Sequence, residues 1–475
     1  MSRILEEVVG ASGIKLTNRI VGFVGIIIYT RLVSSIELGQ YFLFIGILGV
    51  LTTVTVSGLG SATFREISRV DDPDETFTAV LILILILLIC LTLMIIPFGT
   101  VIDNFIGRDI TNALILTLPL EALSIILGIV LRGEEKIIPN EIIWLFSRIM
   151  QFCFAVIAIQ AGESAFTVVI VAYFIGRAVR VSISYVFIDV SLSGVPPLEE
   201  FRSLVHGWRY LSVMRWGNFG QQWVDTLLIG FFLAPASVAV YEVIWRLSSL
   251  GLFVLNISSG VLFPRLVKWI ERGNSEKFNW YSRRAYLYAT MPFVPLALGS
   301  VVVGESLLGL LYGSEYASGY IALVLLLFGR SFQSIDSVSN KILMATDNDR
   351  VIAIITVAVI VVNLVSNSYL IPRYGLAGAA TGTGVAFLCG AVIKSWLSVK
   401  STGVSVPLRD FAMVLISGFF MSTIVYLISL QFSEIRWLQL LVLITIGGTI
   451  FCTITAILSR AVSNDVREIF SEYAK

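Results

Sequence analysis

The residues of this chain that could do chemistry are charged side chains inside long apolar runs. Arg19, Glu121, Arg148, Arg215, Asp225, Glu242, Arg246, Arg330 and Asp336 each stand in a stretch rich in Leu, Ile, Val and Phe. A charge in such surroundings is costly, so it faces a watery cavity or a partner rather than hydrocarbon. Spacing sharpens the pattern. Arg215, Asn218, Gln222 and Asp225 recur on one side of a helix. Glu242, Arg246, Ser249 and Asn256 form a second stripe, Arg330, Ser334, Ser337 and Lys341 a third, and Lys15, Arg19 and Gly22 a fourth. A pocket with surplus guanidinium suits a phosphate or pyrophosphate, because the planar fork of donors keeps its charge when partly desolvated. Asn, Gln and Ser side chains suit sugar hydroxyls. The chemistry expected is therefore binding. Arg19, Arg215 and Arg246 are expected to contact an anionic headgroup, with Arg148 and Arg330 as further contacts. Asn218, Gln222, Asp225 and Glu242 complete the candidate substrate-binding set. The competing reading is that the arginines only neutralise Glu121, Asp225, Glu242 and Asp336, the i,i+4 pair Glu242–Arg246 being the plainest case.

Long apolar helices must position these residues, and the composition supplies them. Of 475 residues, 57% are hydrophobic and 14% charged, with a net charge of +1; mean hydropathy is +0.90. Soluble domains carry about 25% charged residues, and a water-soluble fold of this size has nowhere to hide so much apolar surface. A soluble enzyme and a disordered chain are excluded, and the near-zero net charge offers no basic face for nucleic acid. The four cysteines, Cys90, Cys153, Cys389 and Cys452, lie in apolar runs without a CxxC spacing and read as small hydrophobes rather than disulfide or metal sites. The single histidine, His206, argues against a histidine-based centre, so no cofactor or metal is expected. Trp208, Trp216, Trp223, Trp245, Trp269 and Trp280 read as interface anchors more readily than as sugar-stacking rings.

About 14 stretches are long enough to cross the hydrocarbon core as helices. They lie roughly at 12–34, 38–63, 77–100, 112–131, 138–160, 165–187, 207–232, 237–262, 284–303, 317–340, 350–371, 375–398, 408–430 and 437–460. The seventh and tenth carry the most charge. Turn formers punctuate the short loops, for example at Pro196-Pro197 and Pro372-Arg373-Tyr374-Gly375. The longest loop, 188–206, is the natural boundary between halves. With the N-terminus in the cytoplasm, the tails and even-numbered loops hold about 25 of the 33 basic residues. The opposite loops hold Arg31, Arg108, Arg373 and Arg436, so both termini are expected in the cytoplasm. The first span lacks a small-residue cleavage site and reads as a retained helix. Across the short turn near Pro235, Asp225 and Arg246 are expected at one depth, where they can pair.

An offset of 200 residues aligns Tyr41 with Tyr241, Gly60 with Gly260 and Arg65 with Arg265. A later pair, Leu131-Arg132-Gly133 and Leu343-Met344-Ala345, agrees approximately. Twofold repetition of six spans is a transporter pattern. The segments TRLVSSIELGQY (Thr30 to Tyr41), SGLGSATFREISR (Ser57 to Arg69), LYGSEY (Leu311 to Tyr316) and LIPRYGLAGAA (Leu370 to Ala380) appear in this order. Together with span count and spacing, they resemble the Wzx-type polysaccharide flippases of the multidrug/oligosaccharidyl-lipid/polysaccharide exporter superfamily over nearly the whole chain. Gly39 and Gly375 suit tight turns in these segments, and Gly378, Gly382 and Gly384 suit close helix approach.

The resemblance implies an all-α polytopic membrane protein of two six-helix lobes, 1–195 and 196–402, around a central cavity, followed by two extra helices and a cytoplasmic tail in 403–475. It implies movement of a polyprenyl-(pyro)phosphate-linked glycan to the outer leaflet of the cell membrane by alternating access, for surface polysaccharide or glycoprotein glycan synthesis. The partners implied are membrane lipids and the glycosyltransferases or polymerase of the same pathway. No GxxxxGK[ST] motif is present. A cation-coupled multidrug antiporter of the same superfamily is the alternative, but it calls for acidic residues facing a cationic drug, and the intramembrane basic residues here at least equal the acidic ones. A membrane-embedded glycosyltransferase or polymerase calls for large outer loops with catalytic carboxylates, which the short outer loops do not offer.

Overall fold

The computed structural model describes residues 2–69, 73–252, 266–270, 272–346, 348–459 and 461–465, with side chains described at all of these except 2–9, 11, 12, 57, 58, 206–222 and 349. Among the described residues the chain is built from helices and turns without strands. It divides into two compact units, Met1–Ala239 and Val240–Lys475.

In the first unit, α1 (Ser2–Leu32), α2 (Ser35–Ile67), α3 (Asp74–Ile106), α4 (Thr111–Gly133), α5 (Ile137–Gln160), α6 (Ala165–Phe187) and α7 (Leu198–Phe232) follow one another through short turns. Helix α2 packs against α3, α4, α6 and α7, while α5 joins α1 to α6. Local chemistry sets the helix ends. Ser34 caps α2 by accepting the Glu37 N–H at 3.3 Å. Gly107, at φ 79°, ends α3 in the left-handed conformation that favours glycine. Asp103 Oδ1 then accepts the N–H groups of Ile110 and Thr111, at 2.8 and 2.9 Å, where α4 begins.

The chain leaving α6 is held against the ends of α3 and α4. Glu134 accepts the N–H groups of Asp189 and Val190 at 2.9 and 3.1 Å. Asp74 accepts from the Ser191 N–H at 2.8 Å, and Lys136 Nζ lies 2.6 Å from Asp189 and 3.1 Å from Glu134. Burial by itself would lower the Lys136 pKa, but the hydrogen bonds and charges of Asp189 and Glu134 outweigh it and raise it.

The second unit continues α8 (Pro235–Ser248), which ends in the 3₁₀ turn Ser249–Gly251. It then holds α9 (Ser275–Thr290), α10 (Phe293–Tyr312), the short α11 (Ser314–Ala317), α12 (Tyr320–Met344), α13 (Asp349–Thr402), α14 (Leu408–Ser429) and α15 (Trp437–Leu458). Helix α13 is two arms meeting at Gly375, whose φ 57° and ψ −134° are not helical. The arms press together. A side chain at Gly378 would meet the Leu370 carbonyl at 2.2 Å, and one at Gly382 would meet the Asn367 amide at 2.2 Å. Helix α12 packs on both α10 and α13, and α14 and α15 pack on each other and on α10.

Eleven helical stretches among the described residues are long and apolar enough to cross a membrane. The distribution of side chains agrees. Leu93, Phe419 and Leu438 are 65%, 61% and 75% exposed, whereas Asn18, Asn140, Asp225, Glu242, Arg330 and Lys394 are buried. Apolar outside with polar inside is the arrangement that hydrocarbon solvent demands. The chain is a multi-pass membrane protein. The expected spans map onto α1 to α8, α9 with α10, α12, the two arms of α13, α14 and α15. In the charged seventh span, Trp223–Phe232 is an apolar helical stretch among the described residues. The ninth is longer than expected and breaks at Met291-Pro292, where proline has no N–H to continue the ladder. One expectation is corrected: Gly39 is not a turn glycine. It lies inside α2, and a side chain there would meet the Pro235 carbonyl at 1.8 Å, so its role is close approach between α2 and the start of α8. Of the repeat positions, Tyr41 and Tyr241 are both buried; Gly260 and Arg265 lie outside the described residues.

Candidate functional site

The first unit gathers its intramembrane charges where α1, α4, α5 and α6 meet. Arg148 on α5 reaches α1, where its Nη1 donates to the Asn18 carbonyl at 3.0 Å. Gly22 makes room for it, since a side chain there would fall 2.6 Å from Nη1. The guanidinium lies over the Trp144 ring, 4.1 Å from its centroid, a cation–π contact that holds it in a fixed plane. Arg19 is exposed on α1. Glu121 on α4 pairs with Arg177 on α6 and accepts the Tyr173 hydroxyl at 2.9 Å; Arg177 also donates to Tyr173 at 2.9 Å. Arg180, one helical turn on, lies over the same Trp144 ring at 5.5 Å.

Three polar groups of the second unit contain charged residues of the helix interiors on α8 and α12. On α8, Arg246 donates to the Glu242 carboxylate and, at 3.0 Å, to the Glu242 carbonyl, the i,i+4 pair that the spacing suggests. On α12, Arg330 is fully buried. Its Nε donates to Ser248 at 3.3 Å, Nη2 to Ser249 at 2.9 Å and Nη1 to Gln333 at 2.6 Å, and its Cζ lies 3.9 Å from the centroid of the Trp245 ring. Asp336 on α12 pairs with Lys394 on the second arm of α13 at 3.0 Å.

Several expected residues thus reach the interior of their own unit: Arg148 in the first, and Glu242, Arg246 and Arg330 in the second. Asp225 is buried on α7. The side chains of Arg215, Asn218 and Gln222, with those of His206, Trp208 and Trp216, lie outside the described residues, as does Asn256. Trp245 and Trp280 pack against cations, Arg330 at 3.9 Å and Arg284 at 3.5 Å. Four residues were absent from the sequence expectations. Arg177 and Arg180 sit three apart in the sixth span, the same signal that selected the other stripes. Trp144 is visible only through its arginine neighbours. Lys394, near the end of its span, reads in sequence as a lysine reaching for headgroups.

Chemically, the described clusters offer planar guanidinium donors, amide and hydroxyl groups, and few carboxylates that are not already engaged. This suits recognition of an anion with hydroxyls beside it. The family described as "Polysaccharide biosynthesis protein" matches residues 4–270 of the chain. The probable low-salt glycan biosynthesis flippase Agl15 of Haloferax volcanii is 24% identical over 433 residues, 91% of either chain. The solved lipid II flippase MurJ, in its inward closed conformation, superposes with a TM-score of 0.77 at 18% identity, over 94% of this chain and 98% of that one. An inward-facing multidrug resistance MATE family transporter of the MOP superfamily superposes with a TM-score of 0.65 at 15% identity, over 82% and 94%. The fold is that of a polytopic transporter.

Proposed function

Because the chain belongs to the polysaccharide biosynthesis protein family, we propose that it is a flippase, not an enzyme. It moves a polyprenyl-phosphate-linked oligosaccharide from the cytoplasmic to the outer leaflet of the cell membrane by alternating access. The product serves cell-surface polysaccharide or glycoprotein glycan synthesis. The observation that carries this reading is the set of guanidinium groups held inside apolar helices, of which Arg148, Arg246 and Arg330 are described. The similarity to Agl15, by its name a probable glycan biosynthesis flippase, supports a glycan as the cargo.

In this reading Arg19, Arg148, Arg215, Arg246 and Arg330 take the phosphate, while Asn218, Gln222, Asp225 and Glu242 serve the sugar hydroxyls. An arginine fork matches a phosphate oxygen pair and stays charged in a partly dry site. The lipid tail stays in hydrocarbon, so the protein has only to shelter the head. Both termini lie in the cytoplasm, the pathway's glycosyltransferases or polymerase are neighbours, and the two six-helix lobes divide at about residue 195 by the longest loop. A multidrug antiporter shares the fold but calls for free acidic groups, whereas Glu121, Glu242 and Asp336 are each paired with a cation here. Deleting the gene and identifying the glycolipid that accumulates facing the cytoplasm tests the function. Arg215→Ala or Arg246→Ala should reproduce that accumulation with the protein still in the membrane. Full export by both variants removes the binding assignment.

A further inference from the structure

Arg180 differs from the other charged residues of its corner. Arg177 engages Glu121 and Tyr173, Arg132 donates to the Gly128 carbonyl at 3.1 Å, and Lys136 engages Glu134 and Asp189. The Arg180 guanidinium makes no hydrogen bond or ion pair among the described residues. Its Nε is sealed from solvent without an acceptor, while the side chain as a whole is partly exposed. The neighbouring charges are Arg177, Arg132, Glu121 and Glu141, and Arg148 lies over the same indole. Cations outnumber carboxylates, and Glu121 is already taken.

Two buried amides complete the picture. Asn140 is 6% exposed and Asn18 is 2% exposed, and the Oδ1 of each lacks a donor. Their amide nitrogens point elsewhere, Asn18 Nδ2 donating to the Glu141 carbonyl at 3.0 Å. Arg180 and Asn140 converge over Gly128. A side-chain carbon there would lie 2.7 Å from Arg180 Nη2 and 2.9 Å from Asn140 Oδ1, so glycine keeps that space for the two polar groups. A donor fork beside unsatisfied acceptors is complementary to a phosphate ester bearing hydroxyls. Leaving such groups unmatched inside a bilayer is unfavourable.

We propose that Arg180, with Arg148 and Trp144 beside it and the Asn140 amide opposite, forms a glycosyl-phosphate station within the first unit. The inference rests on the flippase reading for the identity of its ligand. Arg180 lies seven residues before the end of α6, about 10 Å along the helix, at the end of the unit that carries Lys136 and Asp189. With the N-terminus in the cytoplasm, six spans bring that end back to the cytoplasmic side, so the station meets the substrate's head before the middle of the membrane.

The test uses the full chain in phosphatidylcholine nanodiscs, titrated with farnesyl phosphate, a farnesyl-phosphate-linked hexose and inorganic phosphate. Binding is read by tryptophan fluorescence, with Trp144→Phe identifying the local signal. The wild type should bind the linked hexose. Arg180→Gln should weaken that binding by about tenfold or more, the scale of a charge-assisted hydrogen bond, and Arg180→Lys should restore part of it. Gly128→Ala, which pushes the guanidinium aside, should weaken it without removing a charge and carries the test if Arg180→Gln fails to fold. Binding by Gly128→Ala and by any folded Arg180 variant as tight as the wild type's overturns the proposal. Equal, Arg180-dependent binding of inorganic phosphate and of the linked hexose overturns the substrate assignment, because it marks a site for free phosphate. A wild type that transports the glycolipid but shows no Arg180 effect loses the station and keeps the function; a wild type that binds through Arg180 but transports nothing does the reverse.

Discussion

At the scale of single residues, the membrane interior sorts charges by whether they have partners. Glu121 and Arg177 are both mostly buried, at 14% and 16% exposure, and Tyr173 closes the group. A desolvated pair contributes little over an apolar pair of like shape, but a lone survivor is costly. We expect Glu121→Leu to lower stability by about 3–5 kcal/mol, and the double variant Glu121→Leu/Arg177→Met to recover most of that loss. Thermal unfolding in detergent measures both. Equal destabilisation by the single and double variants would show that the pair is not the source. Sequence selected Glu121 and Arg148 from their apolar surroundings, but it could not say that Glu121 is satisfied by Arg177. That pairing depends on how α4 and α6 face each other, and it is set by packing rather than by spacing along one helix. The Glu242–Arg246 pair was legible because both partners stand on one helix, where spacing alone brings them together.

At the scale of elements, apolar run length decided the helices, and most boundaries fall within a few residues of the runs. Where sequence and structure part, particular residues explain it. The break between α9 and α10 comes at Pro292, and α9 begins before the expected span through polar, interface-suited residues such as Lys277 and Arg283. Gly39 and Gly375 looked alike in sequence, but one serves close packing and the other a reversal. At φ 57° and ψ −134°, Gly375 holds a backbone shape that a Cβ strongly disfavours. Gly375→Ala should therefore cost about 1–3 kcal/mol, read as a lower unfolding temperature and a smaller folded fraction. Gly448→Ala, inside α15 where a side chain meets open space, is the control and should lower neither. An unaltered Gly375→Ala protein would mean that the turn adopts another conformation.

At the scale of the whole molecule, the composition already required an apolar exterior, and the exposed Leu, Ile, Val and Phe side chains of α3, α14 and α15 provide it. Leu93→Arg places a charge on an outward face near the middle of α3. It should cost about 2.5–3.5 kcal/mol of insertion free energy and reduce the membrane-inserted fraction, as carbonate extraction would measure. Normal insertion would place that face in water or protein. The central claim, that the chain carries a lipid-linked glycan across the bilayer, is tested most directly in liposomes containing the purified protein and a fluorescent polyprenyl-phosphate-linked saccharide, with a membrane-impermeant quencher outside. The wild type should render the inner-leaflet pool quenchable, and Arg246→Ala should leave it protected. If the wild type leaves that pool as protected as protein-free liposomes do, the chain is not a flippase for this class of substrate.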